Sequence, residues 1–440
     1  MIKVLKIILT VLVTSFFFFP IEFSFLPGLN TKNIMAAVGL VLALILLVRQ
    51  GEFSVPKELL LLLLLSGMVS LMSLVSITYN QTPDTTYVSF IRATAIWLSS
   101  AFTAACTIRE VHGKITVSLV IHYLIGVCLF QCVMAMLIEF IPAIREFVDR
   151  FVMQGQSMLQ KMNRLYGFGA SLDVAGSRFA AVLVAIAYLL SSSTKRVSNG
   201  LAVFYTLSFI VIAVIGNMIA RTTTIGMIIG VLWVILFPFI NRQKIEFHGY
   251  FGKGFAIVTT GAALIVISIA LYRFLPDIKK LFEFGFEGFF SLFETGEWQV
   301  SSNDKLSTMV VWPEELRTWI IGDGYFMNSR YDPNYLGEAT NQGFYMGTDI
   351  GYLRFIFYFG IAGLIWIIAV IAYSAYVCGK YFKDYAWMFA LALLVGLVVW
   401  AKVSTDLFLF FALFLCAAAL QETPVGIVSD PPAETPEASV

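Results

Sequence analysis

Twelve apolar runs, most of them close to twenty residues long, account for most of this chain, and one long polar stretch of about eighty residues, between Phe274 and Phe355, interrupts them. A membrane span needs about 20 mostly apolar residues, so the runs restrict the fold to a bundle of spanning helices. The polar stretch is the one sizeable excursion, and a polytopic chain with such a loop is built to act at that membrane face. Of the 440 residues, 59% are hydrophobic and 13% charged. A soluble domain carries roughly a quarter charged residues, so the charge deficit alone places the chain in a bilayer. The net charge of +1 says nothing about nucleic acid, because the basic residues are spread over short loops, and no nucleic-acid partner is expected. The five cysteines (Cys106, Cys128, Cys132, Cys378 and Cys416) all lie in apolar runs, an arrangement for packing and not for a disulfide framework or a zinc site.

The expected fold is all-α, a polytopic membrane protein with about twelve spans: 5–25, 33–48, 58–78, 86–107, 115–138, 174–193, 198–219, 222–240, 254–274, 353–376, 385–401 and 405–420. The last two, divided only by Lys402 to Asp406, are also readable as one re-entrant hairpin. The first run follows Lys3 and Lys6 with no small-residue cleavage site after it, so a retained span is expected. Lysine and arginine in short loops set orientation. Arg49, Lys57, Arg109, Lys114, Lys195, Arg196, Arg242, Lys244, Lys253, Lys380 and Lys383 fall on one side, against Lys32, Arg221 and Lys402 on the other. That pattern puts both termini in the cytoplasm and the large loop outside. The organisation is then residues 1–274 with nine spans and an outer amphipathic segment near 139–173, a large outer loop 275–352, three spans in 353–420, and a Pro/Glu/Ala-rich tail 421–440, expected to be disordered. Phenylalanines recurring among charges in 278–293 suit helices lying in the headgroup region.

Arginines at the outer ends of spans carry the sharpest chemical signal. Arg92, Arg164, Arg178, Arg221, Arg330 and Arg354 all fall there. An arginine in a membrane segment is costly and commonly faces a cavity or a partner, although snorkelling to lipid phosphates is the plainer account of any one of them. Guanidinium groups pair in a fork with phosphate oxygens, so several at one face suggest a diphosphate. Asp349, in Thr348-Asp349-Ile350-Gly351-Tyr352-Leu353-Arg354, sits where the tenth span begins. It is a candidate base or, with Thr348, a helix N-cap. Glu338 is a second candidate base or a solvated loop residue. The turn Gly322-Asp323-Gly324 could bring backbone close to a ligand or be an ordinary turn. Trp298, Trp312, Trp319, Tyr325, Tyr331 and Tyr345 could stack on sugars or anchor the interface. His112, His122 and His248 all lie outside the outer loops, and the sequence has no phosphate-binding glycine loop, so a metal or nucleotide cofactor is not expected.

The layout, with Arg164-Leu165-Tyr166-Gly167-Phe168, Ala220-Arg221-Thr222, Gly322-Asp323-Gly324-Tyr325 and Asp349 to Leu353 before Phe359-Gly360-Ile361-Ala362-Gly363, resembles the bacterial O-antigen polymerase and O-antigen ligase superfamily. The resemblance implies an inner-membrane enzyme acting on undecaprenyl-diphosphate-linked glycans at the periplasmic face without a cofactor. The family's diphosphate-holding arginines carry over to Arg164, Arg221, Arg178 and Arg330. Ligases of the family use a loop histidine near the position of Asp349; its absence here favours polymerisation over transfer to lipid A core or protein. A chain-length regulator is a further partner the resemblance admits. A secondary transporter or flippase is the reading from another class, and it requires charged groups or broken helices near the midplane.

Overall fold

The computed structural model describes residues 2–50, 56–154, 159, 164–191, 198–240, 272–273, 276–327 and 343–422. It is an all-α membrane architecture. The helices are α1 (Ile2–Phe18), α2 (Thr31–Gln50), α3 (Lys57–Asn80), α4 (Phe90–His112), α5 (Val117–Phe140), α6 (Pro142–Phe151), α7 (Leu172–Ser191), α8 (Asn199–Ile219), α9 (Thr223–Ile240), α10 (Pro276–Gly285), α11 (Glu287–Thr295), α12 (Ser301–Ser307), α13 (Leu316–Ile321), α14 (Gly351–Tyr381), α15 (Ala386–Val399) and α16 (Phe408–Glu422). Seven of them, α3, α4, α5, α7, α8, α9 and α14, are long and apolar enough to cross a membrane. Helices also stand at four of the other five expected spans; residues 254–271 and the tail from 423 lie outside the described residues.

Helix α7 is the axis of the bundle. In its most apolar window 89% of the residues are buried, and a helix apolar on all sides belongs in a core. Its neighbours approach closely because small residues line the crossings. A side chain at Gly226 of α9 would run into the backbone of Ala180, and one at Gly176 of α7 into Ala220 and Thr222. Gly39 gives α2 the same access to Ser99 of α4. Helices α15 and α16 have 14 and 15 residues, about 21–23 Å at 1.5 Å per residue. They form a hairpin through 400–407, closed by the Trp400 indole N–H donating to Thr405 O at 2.6 Å.

α6 starts on Pro142, which carries no N–H to waste at a first helical turn. Arg145 turns back to donate to Ile138 O at 3.0 Å and Glu139 O at 2.8 Å, closing the carbonyl end of α5. Val152–Met153 then pairs antiparallel with Glu22–Phe23, tying this segment to the end of α1.

The decisive local feature is a break in α14. Phe359 has φ −139°, and Gly360 has φ +68° with ψ −176°, a backbone region open only to glycine. The break frees carbonyls, and buried carbonyls need donors. Phe357 O accepts from the N–H of Asp323 at 2.6 Å, and Tyr358 O from that of Gly324 at 3.1 Å. The Ser76 hydroxyl of α3 also donates to Tyr358 O, at 2.7 Å. The turn Gly322-Asp323-Gly324 therefore does approach something closely, and what it meets is the broken helix. Asp323 accepts from Thr318 Oγ1 at 2.6 Å, Arg317 Nη2 at 3.2 Å and Tyr345 Oη at 3.3 Å, while Arg317 Nη1 donates to Asn80 at 2.6 Å. Burial pushes the Asp323 carboxyl up from its ordinary value, and these donors pull it back. Replacing Asp323 with Ala should cost about 2–3 kcal/mol, because charged-group hydrogen bonds are lost together. The thermal midpoint of detergent-solubilised protein reads this; an unchanged midpoint would assign the anchoring to the backbone contacts alone.

Candidate functional site

One end of the bundle gathers the N-terminal turns of α7 and α14, the α8–α9 turn, the 400–407 hairpin and helices α10 to α12. Arg221 occupies the tight turn Ala220-Arg221-Thr222, held because Thr223 N–H donates to Ala220 O and Thr224 N–H to Arg221 O, both at 3.0 Å. Its Nε donates to Phe284 O at 2.9 Å and its Nη1 to the Ser302 hydroxyl at 3.2 Å. Nη1 also pairs with Glu287 at 2.5 Å. Burial pulls the guanidinium below its ordinary value, opposed first by Glu287, while Arg164 adds like-charge repulsion. Arg164 and Arg221 both lie against the ring of Phe284, at 5.1 and 4.3 Å from its centroid. Two arginines from distant parts of the chain thus share one aromatic platform.

Next to them Lys402 pairs with Asp173 at 3.0 Å, and Asp173 also accepts from the Thr222 hydroxyl. Asp173 stands in the first turn of α7, where the helix dipole favours an anion. It joins the 400–407 hairpin to the Arg221 turn. Between these pieces opens a cavity of about 350 Å³, lined among others by Arg221, Glu287, Lys402, Phe286, Phe289 and Trp298. That is a volume typical of ligand sites.

Asp349 precedes α14 but does not cap it. The helix has no side-chain cap, and Ile350 N–H is served by the Thr348 hydroxyl at 3.3 Å. The Asp349 carboxyl is pushed up by burial, pulled back by Arg354, and feels Asp173, Lys305 and Lys402. It therefore shares a neighbourhood with the Asp173–Lys402 pair. Arg354 is 5% exposed and flat between the rings of Phe326 and Phe344, at 3.8 and 3.7 Å. Its Nη1 donates to Ser404 at 2.7 Å. Arg178, on α7, is also buried and donates to Phe18 O at 2.6 Å.

The sequence-derived set is thus partly assembled. Arg164, Arg221, Arg354 and Asp349 share this end with Lys402 and Asp173, whereas Arg178 is spent on the carbonyl of Phe18 at the end of α1. Arg92 is exposed on the first turn of α4 and, among the described residues, no hydrogen bond or ion pair joins it to the others. Arg330 and Glu338 lie outside the described residues, as does Tyr331. Of the aromatic side chains, Trp298 and Trp312 are exposed, whereas Tyr325 and Tyr345 are buried and stacked on each other at 5.2 Å, where no sugar reaches them. Asp173 and Glu287 went unnoticed in the sequence, and Lys402 was read only as an outer-loop charge; the signal for its role was its place in a connector too short to be a plain loop. The arrangement combines fixed cations, a carboxyl with a raised proton affinity and an aromatic cavity, a set that can hold an anionic leaving group and accept a proton beside it. No group of His, Cys, Asp and Glu able to hold a metal ion occurs among the described residues. No family model, no curated protein and no solved structure matches this chain.

Proposed function

We propose that this chain is a membrane glycosyltransferase that joins undecaprenyl-diphosphate-linked repeat units into a surface polysaccharide, in the manner of O-antigen polymerases. The observation that carries the reading is the meeting of Arg164, Arg221 and Lys402 beside Asp349 at one end of the bundle. In the reaction, an acceptor-sugar hydroxyl oxygen attacks the anomeric carbon of the donor glycan. The carbon–oxygen bond to the diphosphate breaks, and lipid diphosphate leaves with the electron pair. Asp349 accepts the hydroxyl proton, and the guanidinium groups and Lys402 neutralise the charge developing on the leaving group. Glu287 holds Arg221 until a more highly charged anion displaces it. The cavity faced by Trp298 suits a sugar ring.

On this reading the bundle has about twelve spans in an inner membrane, both termini are cytoplasmic, and residues 275–352 form the periplasmic loop. A transporter with a broken helix exposes unwound carbonyls to ions; in α14 Asp323 N–H, Gly324 N–H and the Ser76 hydroxyl occupy those carbonyls, so the break favours an anchored loop instead. Arg221→Ala tests the proposal. With protein levels unchanged, the glycan ladder should collapse toward single repeat units, a loss of roughly 100-fold or more in transfer. A ladder of normal length would defeat the proposal, and accumulation of long lipid-linked chains would indicate a ligase.

A further inference from the structure

A cavity of about 430 Å³ lies between α2 and α4, far from the Arg221 site. Helix α4 begins beside that site, where Tyr87 packs on Phe326 and Phe355. Arg109, which lines the cavity, stands about 28 Å further along the helix from Phe90, at 1.5 Å per residue. The two helices touch where Gly39 meets the Ser99 carbonyl and the Thr103 hydroxyl donates to Met35 O at 2.7 Å. The cavity runs from that contact toward the helix ends at Leu46 and Glu110. Its α2 wall is Val38, Leu42, Ile45 and Leu46, one apolar face at helical spacing. Val38 and Ile45 are 44% and 43% exposed, so the slot opens sideways to the bilayer. Its α4 wall is the face of Thr103, Thr107 and Glu110, flanked by Arg109. Both threonine hydroxyls are spent on carbonyls, those of Met35 and Thr103. Among the described residues the slot is therefore apolar along its length and charged only at its end.

That end falls at headgroup level. Helix α4 has 23 residues, about 34 Å against a hydrocarbon core of about 30 Å, and Arg109 and Glu110 stand in its last turns. Arg109 is 6% exposed. Its Nη1 donates to Leu420 O at 3.1 Å, closing the carbonyl end of α16. A guanidinium has five N–H groups, and among the described residues this is the one bond they make. Glu110 is exposed near the C-terminus of α4, where the helix dipole disfavours an anion. Among the described residues it has no hydrogen bond or ion pair. A buried cation with donors to spare, next to an uncompensated carboxylate, is the complement of a zwitterion, and the slot beneath them is the complement of a hydrocarbon chain.

We propose that this slot holds one aminophospholipid of the phosphatidylethanolamine type, its phosphate on Arg109, its ammonium on Glu110 and one acyl chain along Val38, Leu42 and Ile45. The proposal is independent of the glycosyl-transfer reading, because this lipid sits at the opposite end of the bundle and takes no part in the reaction. A primary ammonium has three N–H groups to give a carboxylate. A choline headgroup has none, and a headgroup with net negative charge meets Glu110 as a like charge. Once seated, the lipid joins α2 to α4 and, through Arg109, to the end of α16.

Titration of the full-length, delipidated protein in maltoside detergent tests this, with phosphatidylethanolamine, phosphatidylglycerol and phosphatidylcholine as probes and native mass spectrometry and the thermal midpoint as readouts. Phosphoethanolamine supplies the headgroup without its chains. Wild-type protein should bind one equivalent of phosphatidylethanolamine at least tenfold more tightly than either other lipid, and its midpoint should rise with that binding. Glu110→Gln, at an exposed position, should fold normally and lose the preference. Arg109→Gln should lose affinity for all three lipids; if it does not fold, Glu110→Gln decides alone. Equal binding of the three lipids to wild type would assign the slot to unselected bilayer lipid and overturn the site. So would a preference for phosphatidylethanolamine that survives in Glu110→Gln. Phosphoethanolamine bound as tightly as the whole lipid would leave the apolar slot without a part and overturn the lipid assignment.

Discussion

Gly360→Ala should leave little folded protein in the membrane. Gly360 combines φ +68° with ψ −176°, a conformation that costs a residue with a side chain about 1–3 kcal/mol. Its missing side chain is also where the chain of α13 passes: a Cβ there would collide with the carbonyl of Ile320 and the N–H of Ile321. Overpacking against fixed backbone adds about 1–3 kcal/mol. The sum, on the order of 2–6 kcal/mol, is a large part of the stability of an ordinary domain. Gly322 faces the same interface from the other side, with φ +77° and with Phe359 N and the Tyr358 carbonyl in its Cβ path. The control lies in the same helix. A Cβ at Gly379 would meet only Ala386, at 3.5 Å, so Gly379→Ala should be neutral or stabilising by up to about 1 kcal/mol, the usual gain of alanine over glycine in a helix. Size-exclusion profiles and thermal midpoints of the two variants read the difference. Equal midpoints would mean that α13 does not lock the break in α14.

Asp349→Asn should separate activity from stability. As the proton acceptor, Asp349 is expected to contribute about 100-fold or more to turnover, and the amide cannot take the proton. Stability should move the other way. Burial raises the carboxyl above its ordinary value, so the folded state holds the proton more tightly than the unfolded one. Stability is then lost as pH rises from the unfolded value through the folded one, and the full penalty is present at neutral pH. Asn carries no charge, so the variant should melt higher than wild type at pH 7, and the gap should close in acid. Wild-type turnover should climb with pH through a value above the ordinary carboxylate range. A variant with normal turnover would remove Asp349 from the chemistry. A variant that melts lower at neutral pH would mean that its ionised form holds the fold together through Arg354.

Different parts of this molecule were legible in the sequence to different degrees. Apolar runs mapped onto helices because spanning segments satisfy their own backbone, so length and hydropathy are enough to find them. The amphipathic stretch 278–293 became α10 and α11 for a similarly local reason. Asp349 was visible through its place before a span, yet its capping role was not realised, because the Thr348 hydroxyl reaches the Ile350 N–H instead. The Gly322-Asp323-Gly324 turn announced a close approach, while its partner, a carbonyl row in α14, lies more than thirty residues away and leaves no local trace.

Composition and the spacing of apolar runs determined by themselves that this chain is a multi-pass helical membrane protein, because the bilayer penalises charge and unpaired backbone wherever they occur. Only the tertiary structure decided which cations act together. Arg164 and Arg221 meet on Phe284, and Lys402 meets Asp173 across more than two hundred residues. A charge interaction depends on distance in space and on the water removed around it, and the order of residues along a chain encodes neither.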